Sequence, residues 1–159
     1  MSMFFSHEWA DEVRATLQAG PDAETLAGKL QEYWDFYNLI RYTYSSSWAL
    51  GARNVPAELG GGTRYLVVRW SEGHVTDCLV LDESETVEAT YVLAADYHDW
   101  KALFEGYDAL RTVMYRKLLL EDGDLLEFFK AIYFFVECLA LIAKVSTSFP
   151  ANSAVPAAV

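Results

Sequence analysis

Apolar side chains recur every three or four positions over the first third of the chain. Trp9, Val13 and Leu17 form one stripe of a helix that Ser6 or His7 opens and Gly20-Pro21 stops. A second helix starts at Asp22 as N-cap and carries Leu26, Leu30, Tyr33 and Trp34 on its apolar side. Between Phe36 and Trp48 the pattern is ambiguous. Tyr37, Leu39, Ile40, Tyr42, Thr43 and Tyr44 are aromatic, aliphatic or β-branched and favour strand, yet their spacing also suits an extension of the helix.

The middle of the chain shifts to strands. Pro56 and Gly60-Gly61-Gly62 mark a loop, after which Thr63 to Trp70 and Val75 to Leu81 flank Ser71-Glu72-Gly73-His74, predicting a β-hairpin. The acidic stretch Asp82 to Glu88 is a connection, and Glu88 to Leu93 is a further strand with Ala89, Tyr91 and Leu93 on one face. Asp96 then caps a helix bearing Trp100, Leu103 and Phe104 that ends at Gly106, with Asp99 at the position of a capping box. Asp108 caps a short helix through Met114, and Tyr115 to Leu120 reads as a buried strand. Glu121-Asp122-Gly123 turns the chain into a last and longest helix, capped by Asp124 and running from Leu125 to about Val145. Residues 1–145 are read as a single domain and 146–159, with Pro150 and Pro156, as a flexible tail.

The last helix is apolar nearly all round. Leu125, Phe128, Phe129, Ile132, Phe135, Val136, Leu139 and Ile142 follow helical spacing, while Tyr133, Phe134, Cys138, Ala140 and Leu141 fill the opposite side. A membrane span needs about 20 apolar residues. The stretch Ala131 to Ala143 is too short for that and contains Glu137. The helix therefore needs covering by its own domain, by a partner subunit or by a ligand.

Composition sharpens this picture. The chain has 159 residues, 53% of them hydrophobic, with 12 Lys and Arg against 23 Asp and Glu for a net charge of −11. That acidity disfavours nucleic acid and anionic membrane surfaces, leaving at most transient membrane contact. Cys78 and Cys138 stand far apart in apolar runs, as buried reduced thiols do. The N-terminus shows no signal-peptide pattern, so a cytoplasmic location is expected.

Catalytic patterns are lacking. His7, His74 and His98 fall at a helix start, a turn and a cap, with no pair at helical metal-ligand spacing. Ser45-Ser46-Ser47 lacks the glycines of a nucleophile elbow, and Gly60-Gly61-Gly62-Thr63 lacks the Lys of a phosphate loop. The acidic runs Asp82-Glu83-Ser84-Glu85 and Glu121-Asp122-Gly123-Asp124 read as solvated turns and not as calcium loops. No catalytic residue, metal or cofactor is assigned. Glu137 remains conspicuous, because an unpaired carboxylate in an apolar helix is costly. It either reaches solvent or pairs with Lys144, Arg41 or Arg69, or it is the polar anchor of an apolar pocket. An enzyme built on Glu137, Tyr133 or His98 has no support from their spacing.

From Glu88 onward the order of features resembles the sterol carrier protein type 2 family. The residues that carry this are Ala89-Thr90-Tyr91-Val92-Leu93-Ala94-Ala95-Asp96, Trp100-Lys101-Ala102-Leu103-Phe104-Glu105-Gly106, Asp108 to Met114, Arg116-Lys117-Leu118 and Gly123-Asp124. The opening helix from Glu8-Trp9 to Leu17 is similar to the family's bacterial members. Tyr107 stands where the family usually has Lys, and Arg116 where it usually has Gly, a departure that bears on the local strand. The resemblance implies an α+β domain, a roughly five-stranded sheet covered on one side by helices, with an apolar cavity between the layers. It implies non-enzymatic binding and transfer of a sterol, fatty acid or similar lipid in a cavity lined by Phe104, Leu110, Met114, Leu118, Phe128, Phe129, Ile132, Phe135 and Leu139, beside which Glu137, from its place in the apolar helix, is the candidate polar anchor. The alternative is a homodimer whose interface is the apolar final helix.

Overall fold

The computed structural model describes residues 2–81 and 86–150 of the chain. The acidic run Asp82-Glu83-Ser84-Glu85 and the tail beyond Pro150 lie outside the described residues. A two-residue strand β1 (Ser2–Met3) precedes α1 (His7–Ala19), where the Ser6 hydroxyl accepts from the Trp9 amide and Trp9, Ala10, Val13 and Leu17 are buried. The second helix expected from the sequence is two. Asp22 caps α2 (Ala23–Ala27), the chain breaks at Gly28-Lys29-Leu30, and α3 (Gln31–Tyr42) resumes with Trp34 and Tyr37 buried. The ambiguous segment from Phe36 is thus helical as far as Tyr42. Tertiary packing overrides its strand propensity, because Tyr37 lies 5.2 Å from the Phe134 ring.

The five-stranded sheet has the order β4-β3-β2-β5-β6, built from β2 (Ser46–Arg53), β3 (Arg64–Ser71), β4 (His74–Val80), β5 (Tyr91–Asp96) and β6 (Leu119–Asp122). Neighbours are antiparallel except β2 and β5, which run parallel at its centre. The predicted hairpin is present. Glu72 (φ 47°) and Gly73 (φ 81°) give the two positive φ values of a type I′ turn, and a Cβ on Gly73 would sit 2.6 Å from the Arg41 carbonyl oxygen. A bulge after Arg69 lets both Val75 and Cys78 point into the core although they are three positions apart.

Two strands differ from expectation. β5 begins at Tyr91, and Ala89 packs on the opposite face of the sheet with Ala49, Val67 and Leu81. The strand expected at Tyr115 to Leu120 is β6, shorter and later, because Arg116 adopts φ 62° and turns the chain before it. This is the position where the resembling family usually has Gly, and the left-handed conformation explains that preference.

All helices with buried side chains contribute to one cluster on a single face of the sheet, while the cluster on the other face contains no helical residue. They include α4 (Tyr97–Phe104), α5 (Ala109–Met114), α6 (Leu125–Lys130) and α7 (Ile132–Ala143). The domain is therefore α+β, with helices over one side of the sheet. Asp96 precedes α4 without capping it; its carboxylate instead accepts from the Asn54 amide at 2.5 Å. The long final helix is also two. Asp124 caps α6 as expected, but Ala131 (φ −116°, ψ 27°) breaks the helix before α7. Nor is the start of the expected tail loose: β7 (Thr147–Ser148) pairs in parallel with β1, and Phe149 packs on Phe4, Tyr97 and Phe104.

Candidate functional site

The break at Ala131 divides the final helical segment between two jobs. α6 lies against the edge of the helical layer, with Phe128 buried and Leu126 and Phe129 exposed, whereas α7 runs through the core. Phe135 meets Trp48 of β2 edge-on at 4.9 Å between ring centres. Phe128 bridges Phe135 at 4.9 Å and Tyr91 at 5.2 Å, and Phe134 packs on Tyr44 at 4.8 Å and Trp70 at 5.2 Å. All of these pairs but the tilted Phe134–Tyr44 are edge-to-face, an arrangement that adds about 0.5–1.5 kcal/mol per pair beyond area burial.

The residues expected to line a cavity do not form one set. Leu118, Phe128, Ile132, Phe135 and Leu139 are buried between helices and sheet. Phe104 is half-buried and faces a different group, Phe4, Trp9 and Phe149, at the β1/β7 end. Leu110, Met114 and Phe129 are exposed on the outside of α5 and α6. Between the layers a narrow void is lined by Ala95, Asp99, Trp100, Leu103, Thr112, Leu118 and Leu139, with no room for a water molecule. Among the described residues, side chains fill this part of the interior.

Glu137 is buried at 6% exposure on α7. Its carboxylate accepts from the Lys29 ammonium at 2.6 Å and from the Tyr33 hydroxyl at 2.6 Å, so Lys144, Arg41 and Arg69 are not its partners. Lys144 instead donates to the Thr25 hydroxyl. The break at Gly28-Lys29-Leu30 is what brings Lys29 over α7, and a lone cation between two helical stretches was the signal in the sequence. Burial raises the Tyr33 phenol well above its usual range, reinforced by the adjacent carboxylate. Both cysteines are buried free thiols, and burial pushes Cys78 up to about 12 and Cys138 upward too, so neither is a nucleophile at neutral pH.

Three features of the surface lay beyond sequence reasoning. A groove of about 560 Å³ opens between α3 and α6 above the starts of β2 and β5, lined by Leu39, Ile40, Tyr44, Ser46, Tyr91 and Glu127. A polar groove of about 770 Å³ lies at Gln18, Asn38, Arg41 and His74. Asp96, His98 and Asp99 bring ligand-type atoms within 4.8 Å of one another, but Asp99 is already approached by Lys117 at 3.6 Å. No helix among the described residues is long and apolar enough to cross a membrane.

No family model and no curated protein matches the chain. Solved structures do. A crystal structure of sterol carrier protein 2 superposes with a TM-score of 0.69 at 20% identity, covering 90% of this chain and 99% of that one. A conserved hypothetical protein of Thermus thermophilus, described as a candidate sterol carrier protein, gives 0.67 at 19% identity, covering 93% of each chain. The strand order, the helices on one face and the full length of the superposition lead to one conclusion: the chain has the sterol carrier protein 2 fold.

Proposed function

We propose that the protein is a non-enzymatic carrier that holds a hydrophobic small molecule, such as a sterol or a fatty acyl lipid, between α7 and the sheet and passes it on. One observation carries this reading. Tyr91 and Tyr44 line the open groove between α3 and α6 and also touch the interior rings Phe128 and Phe134, so a path of packed aromatic side chains leads from the groove to the middle of the domain. Phe128, Phe135, Leu139 and Leu118 continue that path, and the ligand enters by displacing side chains that now fill the space. Burying about ten methylenes is favourable by roughly 8 kcal/mol, enough to offset several rotamer changes and the loss of some ring contacts. The fold shared with sterol carrier protein 2 supports the same reading.

The apolar surplus of α7 is covered by its own chain. Tyr133 is the one large apolar side chain that α7 exposes among the described residues, whereas α6 exposes Leu125, Leu126 and Phe129, so a homodimer interface on the final helical segment is the second reading, and sedimentation at low concentration tests it. Native mass spectrometry of the purified protein tests the carrier reading: a co-purifying or added lipid at one per chain is expected, and absence of any adduct across sterols, fatty acids and fatty alcohols overturns it.

A further inference from the structure

Resting on the carrier reading, we infer that the groove between α3 and α6 is the mouth of the ligand site and that it selects amphiphiles with an uncharged hydroxyl or carbonyl head over carboxylates. The floor and walls divide by chemistry. Leu39 and Ile40 from α3 supply apolar wall, and Tyr44 and Tyr91 connect it to the interior rings. At the sheet end stand hydroxyls. Ser46 Oγ is cut off from solvent without a well-formed hydrogen bond, and the Tyr44 hydroxyl beside it is close enough to interact. A buried hydroxyl left in that state costs free energy that a ligand oxygen restores. The Tyr44 hydroxyl accepts from the Trp48 indole at 2.8 Å, which leaves its proton to donate.

The rim carries negative charge. Glu127 lines the groove, and burial, reinforced by its carboxylate and that of Asp124, raises the Tyr91 phenol above its usual range. Lys130 pairs with Glu127 at 2.7 Å, and Asp124 keeps this rim net negative. A carboxylate head entering here meets like charge, weakened but not abolished by solvent, whereas an alcohol meets hydrogen-bonding groups without a charge penalty.

The test delivers labelled 1-hexadecanol or palmitate from phosphatidylcholine vesicles at neutral pH and measures the lipid transferred to the protein. Glu127 is exposed, so Glu127→Gln keeps the fold intact. In that variant palmitate uptake is expected to rise at least about threefold relative to hexadecanol uptake, the size of a modest charge effect. Ser46→Ala is expected to lower hexadecanol uptake about three- to tenfold, the loss of one hydrogen bond. Palmitate uptake unchanged by Glu127→Gln, or hexadecanol uptake unchanged by Ser46→Ala, overturns the assignment of the mouth while leaving the carrier reading standing. Uptake of neither lipid by the unaltered protein overturns both.

Discussion

The Glu137 carboxylate and the Lys29 ammonium meet at 2.6 Å across the junction between α7 and the link from α2 to α3. The two partners are unequal, since the Glu137 side chain is 7% exposed and that of Lys29 47%. Removing the lysine strands a buried charge, whereas removing the glutamate leaves a cation that water can reach. Lys29→Ala should therefore destabilise the protein by about 3 kcal/mol and Glu137→Leu by less, with the double variant recovering much of the loss. Urea unfolding of the four proteins checks this, and equal losses in the two single variants contradict it.

Alkali should unfold the protein. Burial raises the phenols of Tyr33 and Tyr37 and lifts Tyr44 to about 12. Above the ordinary tyrosine value of about 10 the unfolded chain loses these protons while the native one keeps them, so the unfolded state binds fewer protons and stability falls as pH rises. Stability is expected to be insensitive to these groups below about pH 9 and to drop steeply above pH 10. Absorbance at the tyrosinate band should rise together with the loss of tertiary circular dichroism.

Arg116 is held at φ 62°, a conformation that costs a side-chain-bearing residue roughly 1 kcal/mol. Arg116→Gly should raise stability by about 0.5–1 kcal/mol, measured as a shift in the urea midpoint at unchanged slope. Arg116→Ala, which keeps the Cβ, should give no such gain.

Leu139 lines the narrow void with Trp100 and Leu118. Leu139→Ala should enlarge it at a cost of about 3 kcal/mol. If this space belongs to the ligand path, an added apolar ligand raises the melting temperature of the variant more than that of the parent. Equal shifts place the ligand elsewhere.

What could be read from the sequence followed from local rules. The caps at Ser6, Asp22, Asp108 and Asp124 and the hairpin turn at Glu72-Gly73 each depend on residues within a few positions, and all are present. The central strand was hidden. Ser46–Arg53 contains Ser, Ala and Gly in place of β-branched residues, and its identity depends on pairing with β3 and β5 on either side. The helix break at Ala131 has no Pro or Gly to announce it; Phe128 and Phe135 on either side of it pack against each other. The resemblance from Glu88 onward anticipated the fold. It was less informative about the site, since Leu110, Met114 and Phe129 follow helical spacing yet face solvent. Periodicity tells which residues share a face and leaves open what that face meets.

The carrier reading stands or falls on where an apolar chain goes. Nuclear Overhauser contacts between a bound fatty alcohol and the side chains of the protein locate it directly. Contacts from the alkyl chain to Phe128, Phe135 and Leu139 in the interior are expected. Contacts confined to exposed side chains such as Leu126 and Phe129, or none at all, contradict it.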